Sequence, residues 1–353
     1  MARFQVNNLR RRAPGPRILI YLDQSTLSFL ITKDGLRLRE RLLEGLGSDV
    51  LVCPQSPDHA DESLLAVQSH ASLHDLADEL SMGIELKWDF EIQHNEILNA
   101  AATFVGRASS DALWREAFET NPQTPRDTLF PGGFRVSLAA QRAEWQVNEV
   151  EYEKQGLEGL TEVYEQIPAT GTSFEDQAEQ ELAVMVRWKL GPLTAPDWYR
   201  QRIGALKQRA AMASLSPSEM LRPGSPFNLY SSAMKEAQFC DLLVNRFPEL
   251  RNHADSFRDC EQLRSCPSLA FPALIAAALA TTPGRKAKPG DRYDQSHLMK
   301  GLARCDIVTS DSAMAQLCRD RKLVPDDVTL YSSREHEQLL SHVERLLARG
   351  ADA

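Results

Sequence analysis

No stretch of the sequence approaches the roughly 18 uninterrupted apolar residues of a membrane-spanning helix. The longest candidate, Ser268 to Ala280, is too short, so the chain is expected not to cross a membrane. Cys-x-x-Cys pairs and Cys/His clusters at zinc spacing are missing too. The six cysteines (Cys53, Cys240, Cys260, Cys266, Cys305 and Cys318) are scattered, which argues against a disulfide framework and structural zinc, and for reduced, mostly buried thiols. The start, MARFQVNNLRRR, has basic residues but no apolar core or small-residue cleavage site after it, so it does not read as a secretory signal. A cytoplasmic location is the expectation. There is no P-loop phosphate signature, no GxGxxG, no GxSxG and no HExxH, which leaves nucleoside-triphosphate, dinucleotide, serine-hydrolase and zincin chemistry without support. Excess positive charge is lacking as well: Lys+Arg 40 against Asp+Glu 49 gives −9, so any nucleic-acid contact must use a local basic patch.

What is present is an ordinary globular mix over 353 residues, enough for about two domains at roughly 150 residues each. Arg17 to Leu22 (RILIYL) is a β-rich run ending at Asp23, followed by the cap-forming Gln24-Ser25-Thr26. Asp49 to Cys53 is a second strand, running into a Pro-rich turn, with helical composition from His59 onward. Two more units stand near the end of the chain. Asp306 to Ser310 leads to Asp311 and the helix Ser312 to Lys322, and Val328 to Tyr331 precedes the helix His336 to Leu347. Strands alternating with helices predict an α/β fold with a mainly parallel sheet.

Between about Leu73 and Ala280 the pattern is helical with almost no credible strand. Helices are expected at Trp88 to Val105, Ser137 to Glu165, Ser173 to Leu190, Pro196 to Ala213 and Ser231 to Phe247. Breaks fall at Pro131-Gly132-Gly133, Pro168 to Gly171, Gly191-Pro192 and Pro223 to Pro226. The middle therefore reads as an all-α inserted lobe. The linker Thr281 to Asp291 returns the chain to the α/β part.

In open α/β sheets ligands bind at the carboxyl ends of the strands. Asp23 and Asp311 occupy such ends, Glu62 (with Asp61 as fallback) lies in the first turn after the second strand, and Asp294 opens the expected helix Gln295 to Ala303. Four carboxylates converging on one rim repel each other unless cations neutralise them, and hard oxygen ligands select Mg²⁺ or Mn²⁺. Such ions can activate a water and stabilise a leaving oxygen in phosphodiester hydrolysis. His59 and His297 stand three residues from Glu62 and Asp294, positions from which they could orient carboxylates, contact a phosphate or shuttle protons. Asp306 reads as the end of a turn, Thr309 as a hydroxyl beside the acids, and Arg285, Lys286, Lys288 and Arg292 as either a solvated linker or a nucleic-acid contact. Arg10 to Arg12 are expected to be a disordered tail.

Three segments, ILIYLDQSTLSFL (Ile18 to Leu30), CPQSPDHADE (Cys53 to Glu62) and DQSHLMKGLARCDIVTSD (Asp294 to Asp311), resemble the PIN-like domains of the PIN superfamily of metal-dependent nucleases. The resemblance covers about a third of the chain. It implies a three-layer α/β/α nuclease domain from residues 17–105 and 285–346, interrupted by a helical insertion over 106–284. Asp23, Glu62, Asp294 and Asp311 would be its metal ligands, Mg²⁺ or Mn²⁺ its cofactor, and RNA, favoured over DNA, its substrate. Ser312 departs from the pattern, standing where related members often carry a second acid, which fits a single-metal site or a weakened nuclease. The competing expectation is a degenerate scaffold that recruits a protein or nucleic-acid partner, with the acidic lobe (Glu149 to Glu165 above all) as its partner surface.

Overall fold

The computed structural model describes residues 4–11, 17–59, 62, 70–107, 117–120, 161, 167, 171–213, 225–288 and 290–351. Asp61, Arg12, the side chain of Arg292, the break at Pro131 and nearly all of the expected helix Ser137 to Glu165 lie outside the described residues.

A 3₁₀ turn at Val6–Leu9 opens the chain. The two arginines after it are not a loose tail. Arg10 pairs with Asp327 at 2.9 Å and lies 3.6 Å from Asp306, while Arg11 donates to the carbonyl of Ser265 at 2.8 Å. β1 (Ile18–Tyr21) follows, then α1 (Gln24–Leu30), α2 (Leu36–Gly47) and β2 (Leu51–Val52). Asp23 caps α1 by accepting from the Thr26 N–H, so the helix starts directly at the strand's carboxyl end.

Next come α3 (His70–Ser81), β3 (Ile84–Leu86), α4 (Asp89–Phe104) and β4 (Phe118–Thr120). The expectation of a strandless middle is corrected here: β3 pairs antiparallel with β4, and Glu85 bridges to Gln55. Three-residue strands are too short to print a two-residue period on the sequence.

Among the described residues six helices follow: α5 (Phe174–Thr194), α6 (Pro196–Met212), α7 (Pro226–Arg246), α8 (Leu250–Arg258), α9 (Glu261–Arg264) and α10 (Pro267–Ala280). Two expected breaks behave otherwise. Pro192 sits inside α5 without ending it, and Ser225-Pro226 starts α7, Ser225 capping it and Pro226 taking the first turn, where its missing N–H costs nothing. The apolar run from Ser268 to Ala280 is α10, whose residues are buried almost all round. Ala270, Phe271, Leu274 and Ile275 join the core of the sheet, whereas Leu269 and Ala273 join a second core with Ile97, Val186, Leu243 and Phe257. Among the described residues no helix is long and apolar enough to cross a membrane.

The chain returns through α11 (Asp291–Arg304), β5 (Ile307–Ser310), α12 (Ser312–Asp320), β6 (Thr329–Ser332) and α13 (His336–Ala351). The left-handed Gly290 (φ 89°) turns the linker into α11. Gly301 lets α11 lie against the sheet, since a Cβ there would meet the Val308 side chain at 2.8 Å. Over the described residues the fold is mostly helical around a small four-stranded parallel sheet of order β2-β1-β5-β6. β1 and β5 are buried along nearly their whole length, as central parallel strands covered on both faces are.

Candidate functional site

From β1 the chain moves out to β2 on one side, and from β5 it moves out to β6 on the other. β1 and β5 are therefore the adjacent strands at which the winding reverses, where a crevice opens beyond their carboxyl ends. Asp23 follows β1 and Asp311 follows β5, so the sheet places these two acids side by side at that crevice. α11 brings Asp294, and the helical turn after β2 brings Glu62.

Both strand-end acids are oriented by local structure. Asp23 accepts from the Thr26 N–H at 3.1 Å, from Ser25 Oγ at 2.5 Å and from Thr309 Oγ1 at 2.7 Å, and its own N–H donates back to Thr309 Oγ1 at 2.8 Å. Thr309 thus ties the tip of β1 to β5. Asp311 accepts from the N–H groups of Ala313 (2.6 Å) and Met314 (3.1 Å), capping α12. An N-cap and a site carboxylate are the same residue in both cases.

Asp294 senses all of them. Burial, the charge and hydrogen bond of Asp311, and the charges of Glu62 and Asp23 push its carboxyl up to about 9. Near neutral pH it keeps a proton because a fourth negative charge has no counter-ion there. Among the described residues no three His, Cys, Asp or Glu side chains already stand round one point as ligands of a metal ion. The donor set is nonetheless all oxygen and over-charged, the chemistry that suits a hard divalent cation.

The histidines divide the work. His297 Nε2 lies 2.9 Å from Glu62 Oε2 and its Nδ1 2.8 Å from Tyr21 Oη, which in turn lies 2.7 Å from Ser56 Oγ. Burial lowers the His297 pKa, but the hydrogen bond and charge of Glu62, with Asp58 behind, outweigh it and the pKa is raised. His59 does not reach the acids: its Nε2 donates to the Leu22 carbonyl at 2.6 Å and its Nδ1 accepts from the Ser56 N–H at 2.9 Å. It holds the end of β1 in place.

Behind this layer, Lys300 is 1% exposed and pairs with Asp58 and, at 2.6 Å, with Asp89. Ser296 Oγ lies 2.9 Å from both carboxylates. Lys300 and His297 outweigh burial and hold the Asp58 carboxyl well below the usual range. Asp306 accepts from the Leu19 N–H at 3.0 Å and faces Arg10, which makes it a fastener of β1 to β5. Arg285 pairs with the buried Asp291 and is a brace of the linker, whereas Lys286 and Lys288 are exposed.

One residue at the rim escaped the sequence reading. His336 opens α13 just past β6, stacks on Phe29 at 3.9 Å and 9° between ring planes, and keeps Nε2 buried without a hydrogen-bond partner among the described residues. Its pKa is lowered by burial and pulled back up by the charge of Asp23, which places it within reach of the acid cluster. The signal was its position, a strand-to-helix junction like those of Asp23 and Asp311. Compared with family models, with curated proteins and with solved structures, the chain finds no match.

Proposed function

We propose that the chain is a Mg²⁺- or Mn²⁺-dependent nuclease, a PIN-like α/β/α domain with a helical insertion, that hydrolyses phosphodiester bonds, of RNA in preference to DNA. The observation that carries this reading is the placing of Asp23 and Asp311 after the adjacent strands at the winding-reversal point of a parallel sheet, with Asp294 near enough to Asp311, Glu62 and Asp23 that their charges add to burial in raising its pKa. In this reading Asp23, Glu62, Asp294 and Asp311 would hold a divalent ion, and Asp294 would give up its proton to do so. What such an ion supplies when bound is activation of a water and positive charge opposite the developing charge on the phosphate. The protein's own groups do the positioning. Thr309 and Ser25 fix Asp23, the Tyr21–His297 pair fixes Glu62, and the α12 N-terminus fixes Asp311. His336, stacked on Phe29 with its Nε2 buried, is near enough to Asp23 to feel its charge.

One observation favours the alternative of a degenerate scaffold: the lack, among the described residues, of a ready-made ligand geometry. Incubation of labelled single-stranded RNA and DNA with Mn²⁺, Mg²⁺ or EDTA separates the two. The nuclease reading expects metal-dependent cleavage that vanishes in Asp23→Asn and Asp311→Asn; asparagine is a good N-cap, so α1 and α12 survive both changes. Cleavage that persists in both variants, or none with any metal, contradicts it.

A further inference from the structure

We infer that the face formed by the end of α5 and by α6 binds single-stranded nucleic acid, with bases stacking on Trp188 and Trp198 and phosphates meeting the arginines and lysine around them. This surface is separate from the acid cluster, and the inference stands or falls without the cleavage reading.

Over residues 182–212 the sequence carries six Lys and Arg and one Asp, in a chain whose net charge is −9. Two of the six are engaged: Lys189 with Glu236 at 2.6 Å and Arg200 with Asp197 at 2.5 Å. Arg187, Lys207 and Arg209 are exposed and have no ion-pair partner among the described residues. Trp188 and Trp198 are 52% and 57% exposed, unusual for the largest aromatic side chain. Both rings are braced by one residue, since the Arg202 guanidinium lies 4.1 Å from the Trp188 ring centre and 5.5 Å from that of Trp198. α6 buries Tyr199 and Leu206, which pack with Ala233 of α7, while its Trp198, Arg200, Lys207 and Arg209 are exposed.

Rigidly held aromatic faces interleaved with uncommitted cations are what single strands require: every base offers a π-face, and every phosphate a charge. The charge sign argues for this occupant over a protein. A protein partner would be served by contiguous aliphatic area; here Val184 is exposed one turn before Trp188, but the two tryptophan rings are separated by the Arg202 guanidinium. A duplex, its bases already stacked, gains nothing from the tryptophans.

The test is fluorescence anisotropy of a labelled oligouridylate with the whole protein in EDTA, where no cleavage intervenes. The expectation is salt-sensitive binding that weakens about tenfold in Trp188→Ala and in Trp198→Ala. Phenylalanine at either position should restore most of it, and Arg187→Glu with Arg209→Glu should weaken binding and flatten its salt dependence. Binding unchanged in both alanine variants, stronger binding of duplex than of single strands, or no binding by the wild type would overturn the inference.

Discussion

His59 and His297 lie with their rings 4.7 Å apart and have their pKa values displaced in opposite directions. His59 accepts from a backbone N–H and donates to a backbone carbonyl, a pattern that only a neutral ring satisfies. Burial and the neighbouring charge of His297 lower its pKa to about 3. His297 faces a carboxylate on Nε2 and a tyrosine oxygen on Nδ1, and as an imidazolium it donates to both. A ring kept neutral by its backbone partners thus backs a ring whose charged form Glu62 favours, and that second ring holds Glu62.

The sign of the pH effect follows. The unfolded His59 holds its proton up to about 6.5 and the folded one only below about 3, so stability from this group is present above 6.5 and is lost as pH falls through that window. His297 works in the opposite sense, its contribution being full below 6.5 and lost as pH rises through its raised folded value. Nitrogen NMR of the imidazoles across about pH 5 to 8 should find His59 as the neutral Nε2–H tautomer throughout and His297 still charged above its ordinary midpoint. Parallel titration of both near 6.5 would refute the pairing.

Asp294→Asn should stabilise the metal-free protein while abolishing cleavage. The folded carboxyl keeps its proton up to about 9 and the unfolded one loses it near 3.8, so folding binds a proton between those values and stability declines as pH rises through them. Asparagine removes that decline. Thermal melts at pH 8 should give a higher Tm for the variant, by about 2 °C or more, with the gap closing toward pH 4. A lower Tm at pH 8 would mean that Asp294 is not under repulsion.

His297→Gln should leave the fold in place but free Glu62 from its hydrogen bond. Loss of such a carboxylate's orienting partner typically weakens metal affinity by about 10- to 100-fold. Calorimetric Mn²⁺ titration of the variant reads this directly, and unchanged affinity would remove His297 from the site.

Away from the rim, Arg304 (1% exposed) pairs with Glu96 (4% exposed) at 2.5 Å, and Glu96 also accepts from the Ser268 N–H at 2.8 Å at the start of α10. Glu96→Ala strands a buried guanidinium and should cost about 3–5 kcal/mol in denaturant unfolding. Adding Arg304→Met should recover much of that loss; a double variant no better than the single would show that the pair matters for more than mutual neutralisation.

How much of this was legible beforehand depends on sequence distance. Asp23 and Asp311 could be read because each directly follows its own strand, and the four sheet strands carry their apolar runs locally. Asp306 reads locally as the end of a turn, and its hydrogen bond to the Leu19 N–H, 287 residues away, has no local signal. Lys300 and Asp58 are 242 residues apart, and no local pattern announces that an interior lysine will find its acids there. The same holds for Arg10, whose partners Asp306 and Asp327 come from the other end of the chain. β3 and β4 are too short to show a period, and α10, apolar on all sides, showed that it is buried but not that it serves two cores. His336 shares the strand-to-helix position of Asp23 and Asp311 but not their charge, so a pattern of carboxylates does not reach it.

The central claim is that Asp23, Glu62, Asp294 and Asp311 form one cation site in which an ion displaces the proton on Asp294. Mn²⁺ titration by calorimetry, in buffers of differing ionisation enthalpy near pH 7, measures both terms at once. The account predicts one bound ion accompanied by release of about one proton, with affinity rising as pH approaches 9 and with both signals lost in Asp311→Asn. Binding without proton release, or binding that survives Asp311→Asn, would contradict it.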